Sequence, residues 1–99
     1  MKEFKGTKGP WVCSKPMNFS GAVVCFIESA PIEKSVAQLR GCETGQEAEA
    51  GANAKLIAAA PELLHSCNEL IELLSFHGYN NSTEISEAKQ AINKALGNE

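Results

Sequence analysis

Residues 51–64, GANAKLIAAAPELL, form an alanine-rich stretch that decides how the chain folds. Alanine loses no side-chain entropy in a helix and lets another backbone approach closely. The stretch therefore predicts a slim helix that packs tightly against a sheet or another helix. Pro61 lacks a backbone donor and clashes with the turn before it, but it is tolerated as the first residue of a new helix. We therefore expect a break or a sharp bend within two residues of Pro61.

The start of this first helix is indicated just upstream, in the segment ETGQEAEA at residues 43–50. Thr44 as N-cap and Glu47 three residues later have the spacing of a capping box. Glu47 and Glu49 also suit the positive end of a helix dipole. The pattern predicts a first helix from about Gly45 to Ala60.

Two further helices are predicted downstream. The second, from Pro61 to about Phe76, has a broad apolar face, and the third begins at a cap formed by Ser82 or Thr83 and ends at Gly97. The apolar face of the second helix contains Leu63, Leu64, Cys67, Leu70, Ile71 and Leu74, and that of the third contains Ile85, Ala88, Ile92 and Leu96. These faces offer more apolar surface than a small sheet can cover, so we expect a homo-oligomer, at least a dimer.

Upstream of the helices, residues 1–40 are typical of strands. The runs PWVCSK, GAVVCFIES and EKSVAQL carry β-branched and aromatic residues and are separated by turn-forming residues. The simplest arrangement is a three-stranded antiparallel meander with the middle run at its centre. The sequence predicts a single α+β domain over residues 1–99, with strands mainly in 1–40 and helices mainly in 44–97.

Composition restricts the classes of protein that fit. The chain has 99 residues, 43% of them hydrophobic and 21% charged, which is typical of an ordinary soluble domain. The longest apolar run, Ala22 to Ile27, is too short to span a bilayer, and no apolar segment follows the N-terminal lysines, so we expect a cytoplasmic protein without a membrane partner. Residues 1–40 hold six basic and three acidic side chains, whereas residues 41–99 hold three basic and nine acidic ones. This polarity is too weak for a duplex nucleic-acid surface.

The four cysteines do not indicate a disulfide framework. The chain has no C-x-x-C pair and no predicted signal peptide, so we expect reduced thiols. Cys13, Cys25 and Cys67 are expected to be small buried side chains, because they lie in strand-like runs or on a helical apolar face. Cys42 is expected in a glycine-flanked loop.

Signatures of catalysis are missing from the sequence. It contains no phosphate-binding, dinucleotide-binding, hydrolase or zinc-protease motif, so we expect a protein that is not an enzyme and needs no cofactor. His65 and Cys67 lie two residues apart and face different sides of a helix, which disfavours a metal site. Glu69 and Glu72 are expected on a solvated helix surface.

One group of residues suggests a binding site. Lys8, Trp11, Lys15 and Arg40 lie in the basic half, and Arg40 leads into the predicted N-terminus of the first helix near Thr44. A helix N-terminus favours anions, an aromatic ring stacks on a base and cations pair with phosphate. The predicted ligand-binding residues for a small anionic nucleotide are Lys8, Trp11, Arg40, Thr44 and Asn53. The alternative is that Trp11 belongs to the sheet core, that the cations only solubilise the surface and that Asn53 caps a strand.

The segments GPW at residues 9–11 and EAEAGANAKLIAAAPELL at residues 47–64, with the closing AKQAINKALG, resemble a large group of small proteins encoded by tailed phages and prophages. The family pattern is Gly-Pro-Trp followed by Glu-Ala-x-Ala-Asn-Ala-(Arg/Lys)-Leu-Ile-Ala-Ala-Ala-Pro-x-Leu-Leu. This chain departs from it by the extra Gly51 and by His65, Ser66 and Cys67 after the motif. Neither departure is expected to change the fold.

The resemblance implies an accessory protein made by a virus inside a bacterium. Small oligomeric phage proteins of this kind often act against host immunity, and one class sequesters cyclic or modified nucleotide signals without cutting them. The first hypothesis is therefore a nucleotide-sequestering counter-defence protein. The alternative is an adaptor that inhibits a host protein through apolar helical faces, and an enzyme ranks third.

Overall fold

A computed structural model describes residues 4–19, 21–43, 45–79 and 81–97, with no side-chain description at residues 19 and 41–43. The strands are β1 (Trp11–Cys13), β2 (Met17–Phe19), β3 (Ala22–Ser29) and β4 (Lys34–Glu43). The helices are α1 (Glu47–Ala58), α2 (Ala60–Phe76) and α3 (Thr83–Leu96). The order of strands followed by helices confirms the predicted α+β class.

The sheet is centred on β3, but it has four strands rather than the predicted three. All pairs are antiparallel: β4 lines one edge of β3, while β1 pairs with its C-terminal part and β2 with its N-terminal part. The additional strand, β2, lies outside the three predicted runs, in the segment that was expected to separate the first two, and residues 14–16 interrupt this edge of the sheet between β1 and β2. Pro16 has no N–H for the ladder, and at the interruption the Phe26 N–H donates to Ser14 Oγ at 2.9 Å while the Ser14 N–H donates to the Phe26 carbonyl at 2.9 Å.

By contact density the chain divides into two compact units, residues 7–61 and residues 1–6 with 62–99. The first unit holds the sheet and α1. Its core consists of Val23 and Cys25 on β3 against Ala50 and Ala54 on α1, with Cys13 and Leu39 at its margin. Alanines at every fourth position, 50, 54 and 58, are the buried residues of α1. The predicted slim helix is therefore confirmed, and its alanine face lies on the sheet.

The second unit contains the rest of α2 and all of α3. Ile71, Ile85 and Ile92 are buried together, with Leu64, Ala88 and Leu96 packed around them. Ser82 is the N-cap of α3, its Oγ accepting from the Ile85 N–H at 3.2 Å. Gly97 ends the helix in a left-handed conformation. Both predicted ends of the third helix are confirmed.

The predicted break near Pro61 is confirmed at Ala59, between α1 and α2. A proline at position 61 cannot donate to the carbonyl of residue 57, so the first helix cannot continue through it. The first helix is shorter than predicted, starting at Glu47 and ending at Ala58. The predicted cap Thr44 lies outside the described residues, and Gln46 occupies the N-cap position of α1.

Two expectations about the cysteines were wrong. Cys67 is exposed, because it lies at the open margin of the isoleucine core, beside Ile71 and Ile85, and is not enclosed by them. Cys42 is not in a loop, since its backbone belongs to β4 and pairs with Val23. Cys25 is fully buried and Cys13 half-buried, as small apolar side chains in a sheet often are.

Candidate functional site

The C-terminal end of β3 gathers residues from three parts of the first unit. Ser29 pairs with Trp11 on β1 and with Lys34 on β4. Residues directly opposite each other on neighbouring strands share a face, and alternation along β3 puts Ser29 on the same face as Cys25, which packs against α1. Ser29 is fully buried, Trp11 half-buried and Lys34 exposed.

The segment before β1 is fixed to this end of the sheet by three hydrogen bonds. Ser29 Oγ donates to the Lys8 carbonyl at 2.8 Å, and the Ala30 N–H donates to the Pro10 carbonyl at 2.9 Å. The Trp11 indole Nε1–H donates to the Thr7 carbonyl at 3.1 Å. These bonds hold the indole ring in one orientation and leave the Lys8 side chain exposed.

This end of the sheet lies by the C-terminus of α1, not by its N-terminus. Near the start of α1, the Cys25 thiol approaches the Ala50 carbonyl at 3.8 Å, and a Cβ added to Gly51 would lie 3.4 Å from Pro16 Cγ. Just beyond its end, a Cβ added to Gly9 would lie 2.8 Å from Pro61 Cβ. The helix therefore runs from the N-terminal part of β3 towards the end that holds Trp11.

Arg40 is not brought close to Trp11 within one chain. Leu39 pairs with Cys25, four residues of β3 away from Ser29, and β1 and β4 lie on opposite edges of β3. Arg40 lies one residue further along β4, so at about 3.3 Å per residue and about 4.8 Å between strands the Trp11 and Arg40 backbones are separated by roughly 19 Å. Arg40 lies where the pairing of β3 with β4 shifts register, between the Cys25–Leu39 and Val23–Cys42 pairs.

The remaining predicted residues are dispersed. Lys15 is exposed in the interruption between β1 and β2, and Asn53 is exposed on α1. Thr44 lies outside the described residues. The Gly45 N–H, at the start of the helix, donates to Glu47 Oε1 at 3.2 Å. Of the five predicted ligand-binding residues, Lys8 and Trp11 share one end of the sheet.

Lys34 is the residue of this site that sequence reasoning missed. The signal was available in the hairpin between the second and third predicted strands, because a short turn at residues 30–33 requires Lys34 to face Ser29. The Trp11 indole ring is thus held in one orientation. The lysines Lys8 and Lys34, whose side chains are exposed, both have their backbones next to the buried Ser29. Such a set can stack on a flat ring and neutralise an attached anion.

The described parts of the chain hold neither a metal-ligating group nor a membrane-spanning helix. They contain no group of three or more His, Cys, Asp or Glu side chains that could hold a metal ion. His65 Nε2 lies 3.0 Å from Glu69 Oε1, one turn along α2, and both side chains are exposed. None of the described helices combines the length and apolarity needed to cross a membrane.

A second candidate surface lies on α2. Its outer side exposes Leu63, Cys67, Leu70 and Leu74, which the sequence pattern assigned to an apolar face. Leu70 is 57% exposed and Leu63 is 48% exposed. An exposed row of large apolar side chains is typical of a surface that binds another protein.

Comparison with known proteins identifies the group to which the chain belongs. Residues 1–99 match the family model described as Salmonella phage P22 protein Y8K6. No curated protein and no solved structure matches the chain. Since the match covers the whole chain, the expected relationship to phage proteins is confirmed, and this protein belongs to the family of Salmonella phage P22 protein Y8K6.

Proposed function

We propose that this phage-family protein is a non-enzymatic binding protein that sequesters a small anionic nucleotide, a cyclic or modified nucleotide signal of host defence, and leaves it chemically unchanged. The observation that carries the proposal is the cross-strand alignment of Trp11, Ser29 and Lys34, with the Lys8 backbone hydrogen-bonded to Ser29. Membership of a phage protein family supports the part of the proposal in which the protein is made inside an infected bacterium. The lack of catalytic motifs in the sequence supports sequestration over cleavage.

In this proposal the indole ring of Trp11 stacks on the base and the ammonium groups of Lys8 and Lys34 pair with phosphate. Stacking on an aromatic side chain contributes about 1–3 kcal/mol per base. A hydrogen bond to a charged group contributes about 1.5–3 kcal/mol. Because Trp11 is already oriented by its bond to the Thr7 carbonyl, little conformational entropy is lost when a ligand stacks on it.

The direct test uses Trp11 as its own reporter, since it is the only tryptophan in the chain. Cyclic di- and trinucleotides and ADP-ribose-type nucleotides are titrated while indole fluorescence and heat are recorded. We expect saturable binding with a change in fluorescence. Heating the complex should then release the ligand with unchanged mass, whereas a changed mass would indicate an enzyme.

Variants locate the site. Lys34→Ala is expected to weaken binding about tenfold or more, from the loss of about 1.5 kcal/mol or more. The matched control is Lys89→Ala, which removes the same charge from an exposed position on α3 and should leave affinity unchanged. Arg40→Ala tests the site predicted from sequence. If Arg40→Ala weakens binding and Lys34→Ala does not, the phosphate is bound at the other end of the sheet.

A second candidate function is the adaptor that binds a host protein directly. It is favoured by the exposed leucines of α2. The two functions differ in which variants abolish counter-defence activity in infected cells. Trp11→Ala should abolish it for a nucleotide-binding protein, whereas Leu70→Glu with Trp11 intact should abolish it for an adaptor.

A further inference from the structure

Four of the exposed apolar residues of α2 form a regular row. Leu63, Cys67, Leu70 and Leu74 are separated by four, three and four residues, so they lie along one side of the helix. This row, the α2 seam, is next to the buried side of the helix that carries Leu64 and Ile71. The alternation of three and four residues is the spacing by which one helix packs along another.

The neighbouring surface of α3 is shaped to admit another helix. A groove of about 180 Å³ between α2 and α3 is lined by Cys67, Leu70, Ile71 and Leu74 on one side and by Glu84, Ile85 and Ala88 on the other. Ala91 and Ala95 continue along α3 as exposed small residues. Small side chains allow another helix to approach closely, so the α2 seam and this alanine surface form one open face that is apolar apart from Glu84 at the start of α3.

The α2 seam can pair with the α2 seam of a second copy that runs in the opposite direction. If a second α2 runs antiparallel so that Leu63 meets Leu74 of the other copy, then Cys67 meets Leu70, because both pairs are centred between residues 68 and 69. An interface of a two-fold dimer requires this property, since the same surface must serve both partners. We propose that a second copy of this chain covers the α2 seam, with the two α2 helices antiparallel about a two-fold axis.

The size of the second unit supports a second copy as the occupant. The buried core described for residues 62–97 consists of Ile71, Ile85 and Ile92, and the unit is close to the size of about 40 residues below which oligomerisation or cross-links are usually needed. A standard interface buries about 800 Å² per partner. Helices of 17 and 14 residues, about 25 and 21 Å long and about 9 Å apart, offer a face of that order. The interface does not depend on the nucleotide proposal.

The first experiment measures the mass in solution. Sedimentation equilibrium of the full chain is expected to give twice the chain mass of 10.6 kDa at micromolar concentration. Leu70→Glu should weaken association by about tenfold or more, because a carboxylate would be buried in the seam. The matched control is Leu56→Glu on α1, a leucine that is 65% exposed and lies outside the seam, and it should keep the dimer. Circular dichroism checks that both variants keep their helices.

The second experiment tests the antiparallel register. In a Cys67→Ser background, the double variant Leu63→Cys, Leu74→Cys should form a disulfide between copies on mild oxidation, identified by mass spectrometry of the joined peptides. Residues 63 and 74 of one helix are about 16 Å apart, so this bond cannot form within a chain. Leu63→Cys alone should not cross-link, and efficient cross-linking by it would show a parallel arrangement and overturn the proposal.

Other occupants give different results. If the chain is monomeric at every concentration measured and Cys67 is protected from a thiol reagent, the α2 seam is covered within the chain. If the chain is monomeric and Cys67 reacts with the reagent, the α2 seam is exposed in solution, which favours a host protein as its partner. Either result overturns the proposal of a second copy, whether or not a nucleotide binds.

Discussion

At the scale of single residues, Ser29 organises the end of the sheet. It is fully buried, its backbone pairs with Trp11 and Lys34, and its hydroxyl donates to the Lys8 carbonyl. A buried hydroxyl is costly unless it is hydrogen-bonded. The serine therefore ties the segment before β1 to the sheet and thereby sets the position of the Lys8 backbone relative to Trp11.

Replacing Ser29 tests this role. Ser29→Ala should lower the free energy of unfolding by about 1 kcal/mol, and by up to about 3 kcal/mol if the Lys8 carbonyl is left unsatisfied. Urea denaturation measures the change. The control is Ser35→Ala, at an exposed position on β4 where the effect should stay within about 0.5 kcal/mol. Equal effects of the two substitutions would show that the Ser29 hydrogen bond contributes nothing to stability.

At the scale of elements, α1 is defined by how closely it approaches the sheet. Ala54 is fully buried beside Cys25 and Val23, and Ala50 and Ala58 lie one turn to either side. A larger side chain at these positions would push the helix away from β3. The alanine-rich stretch therefore has a packing function.

The prediction at this scale concerns matched substitutions on α1. Ala54→Leu should destabilise the protein by about 1–3 kcal/mol, because a well-packed core does not accept a larger side chain without strain. Ala52→Leu, on the exposed side of the same helix, should change stability by less than about 0.5 kcal/mol. Thermal denaturation of both variants measures the difference. If Ala54→Leu were as stable as Ala52→Leu, the contact between α1 and the sheet would be looser than described.

At the scale of the whole molecule, a shared helix links the unfolding of the two compact units. The chain forms two compact units, and α2 starts at Ala60 in one and continues into the other. The sequence predicts one domain. Because the boundary falls within a helix, disordering one unit removes support from the first or last turns of that helix.

We therefore expect one unfolding transition for the whole chain. Trp11 fluorescence reports on the unit containing the sheet, whereas circular dichroism at 222 nm is dominated by the helices, most of which lie in the other unit. The two signals should give the same urea midpoint and slope. Two separate midpoints would show that the units unfold independently and that the single-domain prediction is wrong.

The sequence alone determined the features that depend on local chemistry. Pro61 ends α1 because it lacks an N–H, Ser82 caps α3 because its hydroxyl reaches the Ile85 N–H, and Gly97 ends α3 because it accepts a left-handed conformation. The alanine-rich composition determined that α1 is a slim helix, because alanine loses no side-chain entropy in a helix and lets another backbone approach closely. The relationship to phage proteins was likewise readable from the motif at residues 47–64.

Only the tertiary structure decided which residues meet. Cross-strand register put Lys34 rather than Arg40 opposite Ser29, with Trp11 on the other side of Ser29, and the direction of α1 put its N-terminus at the far end of the sheet. The turning of α2 towards α3 buried Ile71 and left Cys67 and Leu70 exposed, although all three belong to one apolar face in the sequence. Direction and rotation are set by contacts between residues far apart in the chain, which a local pattern does not specify. The register of β3 with β4 near Ser29 differs, because the short turn between the two strands brings Lys34 opposite Ser29.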